Sequence, residues 1–164
     1  MPYNFDRSQN HYYFNNKNSV PIIFIHGLGL NQSMWKPQID FFKNKSFVTY
    51  DLLGHGKTPF SENILTMKKL AGQLLVLIEN LKIDKFHLIG FSIGALVSIE
   101  FATNYEKYLN SLTLISTTYK RSNDERQKVI DRVNLAKKNI PISQMAMKRW
   151  FSDDYLKKNP DLYE

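Results

Sequence analysis

The stretch Phe86-His87-Leu88-Ile89-Gly90-Phe91-Ser92-Ile93-Gly94-Ala95-Leu96-Val97 changes character in its middle. Up to Phe91 it is apolar, the composition of a strand buried in a sheet, and from Ile93 to about Tyr105 it suits a helix. Ser92 stands at the joint, inside Gly90-Phe91-Ser92-Ile93-Gly94. A serine hydroxyl is a poor nucleophile unless a sharp strand-to-helix turn presents it. Glycines two residues to either side leave room for the bent backbone and close packing that such a turn demands. The Ile93 N–H and the helix dipole would favour an anion at the same spot. The competing reading is a tight turn with an ordinary serine.

Outward from this joint the alternation continues. Residues 111–116 read as the next strand. On the other side, Thr66 caps a helix whose apolar positions Leu70, Leu74, Leu77, Ile78 and Leu81 recur at three- and four-residue steps. Residues 47–50 and 20–25 are two further strands, the latter apolar on both faces as in a strand covered by helices. Between them, residues 34–42 suit a short helix with Pro37 in its first turn. Two aromatic-rich runs, 3–5 and 11–14, read as an antiparallel hairpin on one sheet edge. The sum is an α/β fold, a mostly parallel sheet with helices on both faces. After Thr117 the pattern changes to polar helical segments at 124–138, 143–151 and 153–158, with no strand between them.

His26-Gly27-Leu28-Gly29 follows the strand at 20–25 directly. A glycine-flanked loop at a parallel strand's carboxyl end can aim the Leu28 N–H at a developing oxyanion. A dinucleotide-binding fingerprint would need a third glycine where Gln32 stands, and a phosphate loop ending in Gly56-Lys57-Thr58 would need a leading glycine where Asp51 stands. Both nucleotide readings fail.

The 164 residues contain no cysteine, which excludes a disulfide framework, a zinc-thiolate site and a cysteine nucleophile. No secretory signal or membrane-spanning run is evident, and the chain reads as cytoplasmic. The net charge of +7 is spread along the sequence: residues 1–118 hold 11 Lys and Arg against 8 Asp and Glu, and residues 119–164 hold 11 against 7. Without a concentrated basic face, no nucleic acid or membrane partner is expected. Nothing in the pattern specifies an oligomeric state.

Taken in order, His26 to Gly29 with Trp35 behind it, the turn from Asp51 to Thr58, and the elbow Gly90 to Gly94 resemble the α/β-hydrolase family over roughly residues 20–118. Met34-Trp35-Lys36-Pro37-Gln38 and Arg149-Trp150-Phe151 look most like the 3-oxoadipate enol-lactonases and related small esterases. The resemblance implies Ser92 as nucleophile, the N–H groups of Leu28 and Ile93 as oxyanion hole, and His26, Gly27, Gly29, Gly90 and Gly94 as supporting motif. It implies residues 1–118 as the N-terminal part of the hydrolase core and 119–164 as the start of an incomplete helical cap. No metal or cofactor is called for, and the substrate is a small ester, lactone or thioester. Phe91 and Trp150 are candidates to line its pocket. C–C hydrolysis or perhydrolysis on the same scaffold, or a non-catalytic binding protein, are the rival readings; a dehalogenase would carry aspartate at 92.

Family members place an acid and then a histidine on loops after later strands. His87 stands five residues before Ser92, roughly 16 Å away along a strand, so it cannot take the hydroxyl proton. His26 and His55 read as loop supports, His11 as a surface residue, Asp51 as fixing its turn, and Asp84 as lying at the wrong end of its strand. Thr58 and Ala95 stand where many relatives carry serine and glycine. The expectation is therefore a truncated hydrolase that is close to inactive by itself, with the strand at 111–116 left as an exposed edge.

Overall fold

The computed structural model describes residues 3–62, 64–138 and 142–160, with side chains described at all of these except 142–145. Residues 161–164 lie outside the described residues. The chain divides into two units, Met1–Thr117 and Thr118–Glu164.

In the first unit, β1 (Asn4–Phe5), β2 (His11–Asn15), β3 (Ile22–Ile25), β4 (Phe47–Tyr50), β5 (Phe86–Phe91) and β6 (Leu109–Ile115) form one sheet in the order β1-β2-β4-β3-β5-β6. The hairpin β1–β2 joins β4 antiparallel, and β4, β3, β5 and β6 run parallel. Placing β3 at the centre explains its continuous apolar run, because both of its faces are covered. Ile23 and Ile25 face α2 (Met67–Asn80) and α3 (Ile93–Tyr105) through Leu70, Leu74, Leu77, Ile78, Val97 and Phe101. Phe24 faces the other way into a cluster with Tyr13, Trp35 and Phe47, flanked by Met34 from a 3₁₀ turn (Gln32–Trp35), Ile39 from α1 (Lys36–Phe41) and Phe42 just after it.

Local signals set these elements. Thr66 Oγ1 accepts the Lys69 N–H to cap α2, and Pro37 occupies the first turn of α1, where its missing N–H costs nothing. The expected single helix over 34–42 is split, since Asn31 caps a 3₁₀ turn before α1 begins. β6 starts two residues earlier than the apolar pattern suggests, because a register irregularity at Phe86/His87 admits Leu109 to the ladder. Its residues are exposed or half-exposed along its length, with Leu112 and Leu114 38% and 39% exposed, so it forms the second sheet edge.

The second unit contains α4 (Asn123–Lys137), α5 (Ile142–Trp150) and α6 (Asp153–Lys158). A reciprocal capping box between Ser122 and Glu125 starts α4, and Ser152 caps α6. Phe151 stacks on Tyr155 at 5.1 Å, beside a buried Leu156. Among the described residues no helix is long and apolar enough to cross a membrane.

Candidate active site

Ser92 links β5 to α3 with φ 56° and ψ −113°. For a residue with a Cβ this is a strained conformation, costing on the order of 1–3 kcal/mol. The strain has a local consequence. A serine at a helix N-cap ordinarily accepts an amide of the first turn, but the Ser92 hydroxyl makes no such bond, which leaves it free of the helix amides. The backbone is held instead: the Ser92 N–H donates to Ile115 O at 2.9 Å, and the Ala95 and Leu96 amides donate to Ser92 O. The amides of Ile93 and Gly94 precede the first intrahelical bonds. Glycine at 92 should relieve the strain, so Ser92→Gly is expected to raise the unfolding free energy measured in urea by about 1 kcal/mol or more, although glycine elsewhere at a helix start gives no such gain.

The loop after β3 lies against this turn. A Cβ added at Gly27 would come within 2.8 Å of the Phe91 ring, so the two segments touch directly. A turn bond from Leu30 N–H to Gly27 O, 3.2 Å, shapes the loop, and Leu28 at its tip is 58% exposed. The sequence-derived residues Leu28, Ser92 and Ile93 are thereby gathered at the carboxyl ends of β3 and β5.

His26 anchors the loop from below. The Leu52 N–H donates to its Nε2 at 2.9 Å, so the proton is on Nδ1, which donates to Gly27 O at 2.8 Å. Burial lowers the His26 pKa to about 4; the bond to Gly27 works the other way, and the neighbouring His55 adds to the lowering. The folded protein thus resists protonation between the unfolded value near 6.5 and about 4. The unfolded chain takes up a proton throughout that window, so stability is complete above it and falls as the pH drops through it. The loss reaches about 3 kcal/mol near pH 4. Denaturant unfolding at pH 7 and pH 4.5 should show it, and His26→Gln should flatten that dependence.

The remaining histidines are engaged away from Ser92. His55 Nδ1 meets Leu53 O at 3.1 Å, and His87 Nδ1 meets Ser111 Oγ at 2.8 Å in a cross-strand pair. Among the described residues no histidine bonds the Ser92 hydroxyl. Asp84 is exposed ahead of β5. Phe91 is half-buried, and Trp150, 46% exposed, ends α5 with the Arg149 guanidinium 6.0 Å from its ring centre.

One expectation is overturned. His11, read as a surface residue, is 6% exposed, with its Nδ1 2.6 Å from Asp51 Oδ2. The antiparallel register of β2 on β4 carries it there, since Tyr12 lies opposite Tyr50 and the next step puts His11 beside Asp51. Asp51 does fix its turn, accepting from the Lys57 N–H, and it also reaches the Gln32 N–H at 2.8 Å. Burial pushes its carboxyl pKa up, but the Gln32 and Lys57 amides and His11 together outweigh this and hold it below the usual range. Thr58 accepts the His11 N–H on its hydroxyl at 2.9 Å.

The profile of the alpha/beta hydrolase fold family matches residues 20–162. The chain belongs to this family. Over 97% of its length it is 29% identical to 3-oxoadipate enol-lactonase 2 of Acinetobacter baylyi, of which the match covers 60%. A second hydrolase of that organism, which acts on (E)-2-((N-methylformamido)methylene)succinate, is 24% identical over 90% of the chain and 56% of its own length. Among solved structures, the enol-lactonase of Burkholderia xenovorans LB400 superposes on 98% of the chain with a TM-score of 0.81 at 24% identity, covering 64% of that protein. The chain spans 60% and 56% of the length of these two curated relatives. The α/β-hydrolase sheet, with its parallel core and antiparallel hairpin, is thus common to this chain and its enol-lactonase-like relatives.

Proposed function

We propose that this chain carries the nucleophile of a cofactor-independent serine hydrolase acting on a carboxylic ester, lactone or thioester. Ser92 Oγ attacks the carbonyl carbon. The carbonyl oxygen becomes an oxyanion that accepts hydrogen bonds from the Leu28 and Ile93 amides, the term that typically contributes most in acyl transfer. Collapse of this intermediate expels the alcohol, enol or thiol with a proton, and water then releases the acyl group from Ser92. A histidine must take the serine proton and return it to the leaving group, and an acid must orient that histidine. With all four histidines engaged elsewhere, we assign both roles to the part of the hydrolase architecture that the relatives possess beyond the matched 60%, and residues 119–164 to the start of a helical cap. In this reading the substrate is a small molecule, met in the cytoplasm. The lactone in the first relative's name supports the bond class.

One observation carries the reading: a strained Ser92 whose hydroxyl makes no helix-cap bond, beside a loop whose tip residue, Leu28, is exposed. A fluorophosphonate probe, applied to the protein bearing the whole architecture, should add its mass to the peptide containing Ser92 and to no peptide of Ser92→Ala. Binding of small esters without such labelling would instead make this a binding protein on a hydrolase scaffold.

A further inference from the structure

Beneath the loop that carries Leu28 lies a set of buried polar side chains that makes no bond to Ser92. Gln32, 3% exposed, follows that loop directly. Its N–H donates to Asp51 Oδ1 at 2.8 Å, its Oε1 accepts from Thr49 Oγ1 at 2.9 Å, and its Nε2 donates to His11 O at 3.2 Å while lying 2.8 Å from His11 Nδ1. The 2.6 Å separation of His11 Nδ1 from ionised Asp51 Oδ2 puts the ring proton on the Asp51 side. Backbone bonds close the set, from Asp51 N–H to His11 O at 2.9 Å and from His11 N–H to Thr58 Oγ1 at 2.9 Å. The rings of Tyr3 and Phe5 lie over His11 with centres 5.2 and 5.0 Å away. The loop is therefore held at both ends, by His26 where it leaves β3 and by Gln32 where it enters the 3₁₀ turn, with Leu28 and Gly29 exposed between.

We propose that His11, Asp51 and Gln32 are positioning residues for the Leu28 amide, and that the β1–β2 hairpin acts as an outer clamp on that loop. The proposal rests on reading the Leu28 amide as an oxyanion donor. A buried network of this kind fixes one geometry, whereas loss of one member leaves the others unsatisfied and lets the segment move. A preorganised donor is what an oxyanion hole requires.

The test is peptide-resolved hydrogen exchange on the 164-residue chain. His11→Phe keeps an aromatic ring under Tyr3 and Phe5 but removes the Nδ1 donor; His11→Asn places an amide nitrogen near the Nδ1 position. His11→Phe should accelerate exchange of the Leu30 and Gln32 amides at least tenfold while β3 and β5 amides keep their protection, and His11→Asn should restore most of it. Unchanged exchange at 30–32 in His11→Phe would overturn the proposal. So would a rise shared equally with β3 and β5, which is global loss of stability, or a failure of His11→Asn to rescue. The readout involves no ester chemistry, so its failure leaves Ser92 labelling untouched, and unreactive Ser92 would leave the exchange result standing.

Discussion

Alanine at position 94 is expected to unfold the protein or to lower its urea midpoint severely. In the interior of an exposed helix, glycine to alanine gains about 1 kcal/mol, and Gly94 lies in the first turn of α3. Packing reverses the sign. A Cβ at 94 would lie 2.5 Å from Ile25 O and 2.7 Å from His26 O, both backbone atoms at the end of the central strand, which cannot swing aside as a side chain can. Relief would need α3 to back away from β3, loosening Val97 and Phe101, which are fully buried. A penalty of about 3 kcal/mol or more is a large share of the roughly 5–15 kcal/mol that holds a domain folded. Gly72 provides an internal control, because a Cβ there has nothing within 4 Å in the middle of α2. Gly72→Ala should be stabilising by up to about 1 kcal/mol. Equal and same-signed shifts for the two variants would contradict the packing account. The same geometry surrounds Gly90, whose added Cβ would collide with the Gly94 carbonyl and Ser98 Oγ. These glycines are thus requirements of helix-to-sheet contact as well as of the turn.

The second large effect concerns turnover. In the whole architecture, Ser92→Ala should reduce p-nitrophenyl ester hydrolysis by on the order of 10⁶-fold, the loss seen when a serine protease is deprived of nucleophile or base. The 164-residue chain with Ser92 intact should stand close to that same floor. A serine with no base at hand remains a protonated alcohol, and the four histidines here are bonded to Asp51, Gly27 and Leu52, Leu53, and Ser111. Comparing the two chains by steady-state hydrolysis, each against its Ser92→Ala variant, separates the contributions. Turnover by the 164-residue chain that depends on Ser92 and approaches that of the larger protein would place a working base within these residues and sink the assignment of it elsewhere. Both expectations also meet at stability: the strain at Ser92 that Ser92→Gly should release is the conformation that keeps the hydroxyl away from the helix amides.

The alternation of strand and helix was readable from sequence because its causes are local. Apolar period, a threonine cap at 66, a proline tolerated only in a first helical turn and glycines flanking Ser92 each act within a few residues. The placement of Ser92 at a strand-to-helix joint follows from those signals, and so does the loop at His26 to Gly29. The torsion at Ser92 does not follow from them, since it depends on α3 being pressed against β3 through Gly94.

The burial of His11 escapes the local pattern for a related reason. Its period-two position with Tyr13 in β2 marks it as facing the same side as its aromatic neighbour, a signal that was present. Its partner, however, is 40 residues away and is reached only when β2 docks antiparallel on β4. Sequence by itself determined which segments are strands and helices and where the candidate nucleophile lies, because hydrophobic periodicity and turn chemistry are encoded in neighbouring residues. Only the tertiary structure decided which buried polar groups share a proton and which backbone atoms crowd a glycine, because those depend on strand order and on distances between segments far apart in the chain.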